Sequence, residues 1–124
     1  EESMIWVNSQ TMVIPMVESV EAMNNLDEIL KVPGVDVLHV GPGDLTRSMG
    51  NASQAEVRTA IDKMIPRIRA AGKLVGIGAN SSTEEGVARI LRVIKLGANF
   101  ITIGAQGFTR LGAQNFLKQV QAAQ

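Results

Sequence analysis

Two stretches of the 124-residue sequence decide the fold: GVDVLHVGPGDL at residues 34–45 and GANFITIGAQGF at residues 97–108. They align without a gap from Gly34 with Gly97 to Leu45 with Phe108, and they share the pattern G-x-[DN]-x-[LI]-x-[VI]-G. A weaker match, one position away from the same register, pairs MV at 12–13 and ES at 18–19 with LV at 74–75 and NS at 80–81. Two strand–helix units therefore recur as a pair.

Short apolar runs, each followed by a segment with helical spacing, extend this pattern along the chain. The runs predict strands at about residues 11–18, 36–42, 73–80 and 99–105, apolar on both faces as buried parallel strands are. Helices are expected at 20–31, 54–71, 83–96 and 108–122, and residues 1–9 are interpreted as the tail of a preceding helix. The pairs Ser53/Glu56 and Ser82/Glu85 have the spacing of capping boxes. Helix C-caps are expected at Gly34, Gly72 and Gly97, each of which lies just before a predicted strand.

This alternation predicts the α/β class. Four strand–helix units are half of the eight that close a TIM-type barrel of about 250 residues. We therefore expect residues 1–124 to form one (βα)4 half-barrel domain. A four-stranded open α/β sandwich is the alternative, although the sequence lacks a dinucleotide-binding fingerprint.

Composition excludes several classes of protein. Twelve Lys and Arg balance twelve Asp and Glu, which argues against a nucleic-acid partner. No apolar run approaches the length of a membrane span, so no membrane association is predicted. The absence of cysteine excludes disulfides and thiolate chemistry and fits a reducing compartment. We expect a soluble cytoplasmic protein.

Polar residues end the predicted strands, at the edge where parallel α/β folds place function. They are Glu18, Asp44, Asn80 and Gln106. Two carboxylates on neighbouring strand ends, with no Lys beside them, would repel each other unless a cation lay between them. A hard divalent ion such as Mg²⁺ or Mn²⁺ suits such a pair. The alternative is that Glu18 and Asp44 cap the helices that follow them.

The turn at residues 41–44, GPGD, offers a complementary feature. Its glycines allow close approach of a ligand, and the N–H groups of Gly43 and Asp44 can face an anion such as the carboxylate of a 2-oxo acid. The alternative is an ordinary Pro-Gly turn. Arg47 could reach an anionic substrate or be an exposed loop arginine. The single histidine, His39, is expected as a buried, hydrogen-bonded core residue and kept as a minor candidate base.

Four segments now carry a resemblance to a known family: MVESVEA at 16–22, NLDEIL at 25–30, PGVDVL at 33–38 and GPGDL at 41–45. They resemble the HpcH/HpaI aldolases, class II metal-dependent enzymes that cleave 4-hydroxy-2-oxo acids to pyruvate and an aldehyde. The family also has macrophomate synthase-like relatives acting on oxaloacetate. The resemblance covers the C-terminal half of the barrel.

The resemblance implies roles for particular residues. Glu18 and Asp44 match the ligands of Mg²⁺ (or Mn²⁺ or Co²⁺), and the amides of Gly43 and Asp44 match those that hold the pyruvate carboxylate. Met16 stands in the substrate site where the family commonly has Gln, and Gln106 where it usually has Asp. The family's substrate-orienting Arg and its His/Asp base belong to the other half of the barrel, which makes Arg47 the candidate catalytic residue here.

Two functions remain at this stage. The first is a metal-dependent carbon–carbon lyase, an aldolase or decarboxylase, that acts on a pyruvate-type 2-oxo acid and an aldehyde through a metal-stabilised enolate. The second is a catalytically incomplete half-barrel that keeps the fold and metal site without turnover. Because a half-barrel leaves its inner face open, we also expect a homodimer or larger even assembly, with Pro15 protecting the outer edge of the first strand.

Overall fold

Four parallel strands form one sheet in the order in which they occur in the sequence. The computed structural model describes residues 2–79 and 83–123. The strands are β1 (Met16–Val17), β2 (Val37–Val40), β3 (Leu74–Ala79) and β4 (Phe100–Ile103). The helices are α1 (Glu2–Ser9), α2 (Val20–Asn24), α3 (Leu26–Lys31), α4 (Pro42–Ser48), α5 (Gln54–Ala70), α6 (Glu84–Leu96) and α7 (Ala105–Ala122).

The sequential strand order confirms the predicted (βα)4 half-barrel over the open α/β sandwich. In a doubly wound sheet, the strand order would reverse at a switch point. Strand β1 is much shorter than the predicted 11–18. The backbone of residues 13–17 still follows β2, and the carbonyl oxygens of Val13, Pro15 and Val17 accept hydrogen bonds from it. Pro15 has no N–H to donate in return, so the ladder is interrupted there.

The expectation that Pro15 protects the outer edge of the sheet is wrong. Its carbonyl oxygen accepts a 3.0 Å bond from the N–H of His39, so its backbone faces β2. Because neighbouring residues of a strand point their backbone groups to opposite sides, the outer edge of β1 carries the groups of Ile14 and Met16.

Several element boundaries also differ from the expectation. The predicted helix 20–31 is two helices, since Asn25 ends α2 and its backbone (φ −90°, ψ 11°) redirects the chain into α3. Helix α4 was not predicted at all. Helix α7 begins at Ala105, ahead of the predicted start at Phe108. Asn80, the predicted last residue of the third strand, lies outside the described residues.

The predicted helix signals are largely confirmed. Ser53 and Glu56 form the capping box of α5, Gly72 (φ 76°) directly follows the C-cap of that helix, and Gly97 (φ 115°) is the C-cap of α6. Gly34 also has a positive φ of 76°, but it lies in a turn two residues after Val32, the C-cap of α3, so its prediction as a C-cap is wrong. Ser82 lies outside the described residues, and the side chain that caps α6 is that of Thr83, which accepts from the Gly86 N–H. No helix in residues 2–79 and 83–123 has the length and apolar character needed to cross a bilayer.

The internal repeat is confirmed by the hydrogen bonds of the shared Asp/Asn position. Asp36 Oδ2 accepts from the Val13 N–H at 3.0 Å, and Asn99 Oδ1 accepts from the Val75 N–H at 2.9 Å. The backbone N–H groups of the same two acceptor residues bond back to Val13 and Val75. Each side chain therefore fixes its own strand against the preceding one, which explains why this position is Asp or Asn in both stretches.

Strand register repeats as well. Met16 pairs with His39 in β1·β2, and Gly78 pairs with Thr102 in β3·β4. The sequence alignment of the two repeats places Met16 with Gly78 and His39 with Thr102, so these two pairs are equivalent. The units β1–β2 and β3–β4 therefore correspond in register as well as in sequence.

One face of the sheet, here called the helix face, packs against the helices. Its strand residues are buried: Val17, Leu38, Val40, Val75 and Ile77. Helix α5 supplies the largest set of buried partners: Val57, Ile61, Met64, Ile65 and Ile68. This contiguous cluster is the hydrophobic core.

The opposite face, here called the open face, is not covered by a helix layer of the described residues. Alternation along the strands assigns to it Met16 and Glu18 of the first strand segment, Val37 and His39 of β2, Leu74, Gly76 and Gly78 of β3, and Phe100 and Thr102 of β4. Met16 is 49% exposed, and Leu74 and Phe100 are exposed as well. Helices α1 and α7 have no buried residue in the described part of the chain.

Candidate metal and substrate site

Glu18 lies directly after β1 on the open face and is half-buried. The Gly41 N–H donates to the Val17 carbonyl oxygen at 3.2 Å, which holds the ends of β1 and β2 together. A Cβ atom on Gly41 would lie 3.1 Å from Glu18 Oε2 and 3.0 Å from Met16 Cε. The Glu18 carboxylate and the Met16 methyl group therefore rest against a backbone that only glycine leaves open.

Asp44 lies in the first turn of α4, where the sequence predicted a turn in a loop. Gly41 is the N-cap of this helix and Pro42 is at its first position, where proline loses no intrahelical hydrogen bond. The N–H groups of Gly43 and Asp44 belong to the first turn, so they have no acceptor within the helix. This part of the site therefore offers two free donors beside a carboxylate.

Arg47 forms an ion pair with Asp44, with 2.6 Å between Arg47 Nη2 and Asp44 Oδ1. The expectation that Arg47 lies in a loop is wrong, and Asp44, for which only the lack of a neighbouring Lys was noted, has this arginine as its neighbouring cation. Their i,i+3 spacing puts them on one side of α4, which was not predicted. The side chains are 70% and 55% exposed, so water screens the pair and it adds little stability.

His39 lies on the open face, just before Gly41 in the chain, and is only 8% exposed. Its ring crosses β3 at Gly76, where a Cβ atom would come within 2.7 Å of His39 Cδ2. His39 Nε2 lies 2.8 Å from Thr102 Oγ1, and the ring meets Phe100 edge-on at a centroid distance of 6.3 Å. The prediction of a buried, hydrogen-bonded histidine is confirmed.

The electrostatic environment of His39 favours the neutral ring. Burial lowers the pKa of His39 below its ordinary value, and the opposing influence of the Glu18 carboxylate is smaller. His39 Nδ1 is buried and has no hydrogen-bond partner in the described residues. The neutral ring suits this arrangement, because a charged ring would place an unsatisfied N–H donor at Nδ1.

The residues fit a divalent cation that binds carboxylate oxygens better than a metal that needs a cage of several histidine or cysteine ligands. No group of three or more His, Cys, Asp or Glu in the described residues is arranged to hold a metal ion. Glu18 and Asp44 supply carboxylate oxygens, and Gly41 leaves the space in which the Glu18 carboxylate lies. Mg²⁺ is commonly held by one or two carboxylates, with water and substrate completing its shell.

Two contacts of this region were missed by the sequence analysis. The Thr102 hydroxyl and the glycine at position 76 determine where the His39 ring lies. The sequence contains one signal for the contact between His39 and Thr102, because these residues occupy equivalent positions of the two repeats. Gln106 lies in the first turn of α7, next to Gly104, while Asn80 is outside the described residues.

Comparisons with known proteins agree with this arrangement of strands and turns. The family model described as HpcH/HpaI aldolase/citrate lyase matches residues 1–113. A 2-keto-3-deoxy-L-rhamnonate aldolase of Escherichia coli strain K12 is 41% identical over 107 residues, covering 84% of this chain and 38% of that protein. The chain therefore spans less than half the length of this relative.

Solved structures show the same fold. An HpcH/HpaI aldolase/citrate lyase family protein from Burkholderia cenocepacia J2315 aligns with a TM-score of 0.79 and 28% identity, over 91% of this chain and 44% of that one. Macrophomate synthase aligns with a TM-score of 0.68 and 24% identity, over 91% of this chain and 39% of that one, which shows the fold alone. Because the family model matches nearly the whole chain, the protein belongs to the HpcH/HpaI aldolase/citrate lyase family.

Proposed function

We propose that this chain is a carbon–carbon lyase, an aldolase or decarboxylase, that acts on a pyruvate-type 2-oxo acid with a divalent cation. One observation carries the proposal: Glu18, Met16 and the first turn of α4 meet around Gly41. Membership of an aldolase family supports the reaction type, as does the rhamnonate aldolase relative. An aldehyde is the expected second product or substrate of the aldol reaction.

Glu18 and Asp44 are the proposed holders of the cation, which is Mg²⁺, Mn²⁺ or Co²⁺. When bound, the cation would supply Lewis-acid stabilisation for the negative charge that develops on the 2-oxo acid. The N–H groups of Gly43 and Asp44 would bind the substrate carboxylate. Their position in the first turn of α4 favours an anion, since these donors lack partners within the helix.

Met16 forms the apolar wall of the proposed substrate site. Its methyl group lies against Gly41 on the same side as the Glu18 carboxylate. A thioether offers no strong hydrogen bond, so Met16 would contribute shape and exclude water instead of orienting the acid through a polar contact.

Arg47 is the proposed substrate-contacting cation, and its ion pair with Asp44 sets a condition on that role. A cation bound to Asp44 would compete with Arg47 for the carboxylate oxygen. Released from Asp44, the guanidinium would be one helical turn from the free N–H groups and could bind an anionic substrate. Opening the pair costs little because both side chains are exposed.

The decisive experiment is Mn²⁺-dependent decarboxylation of oxaloacetate by the purified chain, measured against the rate with free Mn²⁺ alone. We expect a rate above that background, and a return to it in Glu18→Gln. The matched control is Glu21→Gln, which removes an exposed carboxylate in the first turn of α2, after the N-cap Ser19. A folded chain that binds Mn²⁺ and gives only the background rate would refute the proposed activity.

A further inference from the structure

Helix α4 is attached at both of its ends to the chain segment that carries Glu18. At the first end, the N–H of Gly41, the N-cap of α4, donates to the Val17 carbonyl oxygen at 3.2 Å. At the other end, the Oγ of Ser48, the last residue of α4, accepts from the Val20 N–H at 2.9 Å. The two hydrogen bonds therefore reach the chain on either side of Glu18.

The bond from Val20 to Ser48 is not part of the local capping of α2. Ser19, the N-cap of α2, uses its own Oγ to accept from the Ala22 N–H at 3.1 Å. Val20 is the first residue of α2, where an N–H has no acceptor within the helix. Ser48, which lies 28 residues further along the chain, supplies the acceptor that α2 itself lacks.

Asp44 lies on α4 between the two attachments, after Gly41 and before Ser48. Leu45 is the one buried residue of this helix. A short helix that is held by one buried side chain and by a bond at its first end can still swing at its other end. The Ser48 bond removes that freedom, and it therefore limits how far Asp44 can move relative to Glu18.

The Ser48 hydroxyl should matter more to this geometry than to the stability of the fold. Ser48 is exposed, and its bond to the Val20 N–H lies at the surface. If the hydroxyl were removed, water could accept from that N–H, so no buried group would be left unsatisfied. The affinity of a metal site, in contrast, depends strongly on the groups that orient its ligands.

We propose that Ser48 is a positioning residue for the cation site, which keeps Asp44 at the distance from Glu18 that a shared divalent cation requires. The inference rests on the proposed function, in which these two carboxylates hold the cation. Ser48 acts through the backbone of α2 and α4, since in the part of the chain that the structure describes its hydroxyl bonds to Val20 and to neither carboxylate.

Titration calorimetry of the full chain with Mn²⁺ tests this role. Ser48→Thr and Ser48→Val form a matched pair, because threonine and valine have nearly the same shape and differ in the hydroxyl group. We expect Ser48→Thr to bind Mn²⁺ as the unsubstituted chain does. Ser48→Val and Ser48→Ala should bind about tenfold more weakly, the lower end of the effect of groups that orient metal ligands.

Two measurements in metal-free buffer separate positioning from stabilisation. The urea midpoints of Ser48→Thr and Ser48→Val should agree, because the lost bond is exposed to water. Amide hydrogen exchange at Val20 should be faster in Ser48→Val, because the acceptor of its N–H is gone. A fall in the urea midpoint large enough to account for the weaker binding would make Ser48 a residue of the fold alone and overturn the proposal.

The matched control is Thr59→Ala on α5. Thr59 is also exposed, but its hydroxyl donates at 2.9 Å to the Ala55 carbonyl oxygen of its own helix, so Mn²⁺ affinity should be unchanged. An equal loss of affinity in Thr59→Ala and Ser48→Val would contradict a specific role of Ser48.

The calorimetry also distinguishes this inference from the proposed function. Equal Mn²⁺ affinity of Ser48→Thr and Ser48→Val, in a chain whose affinity falls in Glu18→Gln, would overturn the role of Ser48 and leave the cation site standing. Unchanged affinity in Glu18→Gln would reject the cation site itself, and the role of Ser48 with it.

Discussion

The two faces of the sheet use the same strands for different purposes. Strand β3 shows the contrast over a short distance, because Val75 and Ile77 are buried on the helix face while Gly76 and Gly78 line the open face. On the helix face, branched aliphatic side chains fill the space against α5. On the open face, the missing side chains make room for the His39 ring.

This difference separates the buried core from the candidate site. The helix face contains no charged group among its strand residues, and its side chains exclude water. The open face carries Glu18 and His39 together with exposed apolar residues. Substitutions on the first face should therefore change the free energy of unfolding, and those on the second should change binding with little effect on folding.

The largest effect is expected from Leu38→Ala on the helix face. Leu38 is fully buried, so the substitution removes apolar contacts and leaves a cavity. We expect a loss of about 2–5 kcal/mol in the free energy of unfolding, measured by urea denaturation. The comparison variant is Met16→Ala on the open face. If it lowered the free energy of unfolding as much as Leu38→Ala does, the proposed division between the two faces would be contradicted.

The next effect concerns binding on the open face. Glu18→Gln and Asp44→Asn each remove a full negative charge from the candidate metal site, so titration calorimetry should show Mn²⁺ affinity reduced more than about tenfold, or about 1.4 kcal/mol. Glu21→Gln should bind as the unsubstituted chain does. Unchanged affinity in both site variants would reject the assignment of Glu18 and Asp44.

A smaller effect is expected from the buried histidine. Because burial lowers the pKa of His39, the unfolded chain binds more protons than the folded one between that lowered pKa and about 6.5. The free energy of unfolding should therefore rise with pH through this interval and fall as the solution becomes more acidic. Urea midpoints in metal-free buffer should show the slope, and His39→Gln should flatten it. An equally steep slope in His39→Gln would assign the dependence to other groups.

The smallest effect on stability is expected from Met16→Gln. A buried amide without a partner would cost about 1–3 kcal/mol, but Met16 is half-exposed and water can satisfy the new side chain. The unfolding free energy should stay within about 0.5 kcal/mol of the original value, while affinity for pyruvate in the presence of Mn²⁺ rises. Thermal melts and calorimetry measure the two quantities, and a large destabilisation that ligand does not relieve would show that Met16 belongs to the core.

Most of the fold could be predicted from the sequence because the same strand–helix pattern occurs in it twice. The Asp/Asn position of the repeat marks a specific hydrogen bond, and the glycines at 34, 72 and 97 mark positive φ. Helix α4 escaped prediction because Gly-Pro-Gly is typical of turns, although proline also suits the first position of a helix. Because α4 was not predicted, the pairing of Arg47 with Asp44 at i,i+3 spacing along it was not predicted either.

Other features depend on three-dimensional contacts that local patterns do not contain. The direction in which Pro15 faces follows from the register of β1 against β2, which sequence spacing alone leaves open by one residue. The position of the His39 ring depends on Gly76 of the next strand and Thr102 of the one after it. Both required the pairing of strands that are distant in the sequence.

The hydrogen bonds of Asp36 and Asn99 also bear on the order in which the chain folds during synthesis. Each joins residues only 23 or 24 positions apart, so a strand and its predecessor can settle their alignment without the rest of the sheet. Such short loops close quickly and at low entropic cost. The first unit can therefore align its strands while the ribosome is still adding the second, which then repeats the same local step instead of searching for a partner across the whole chain.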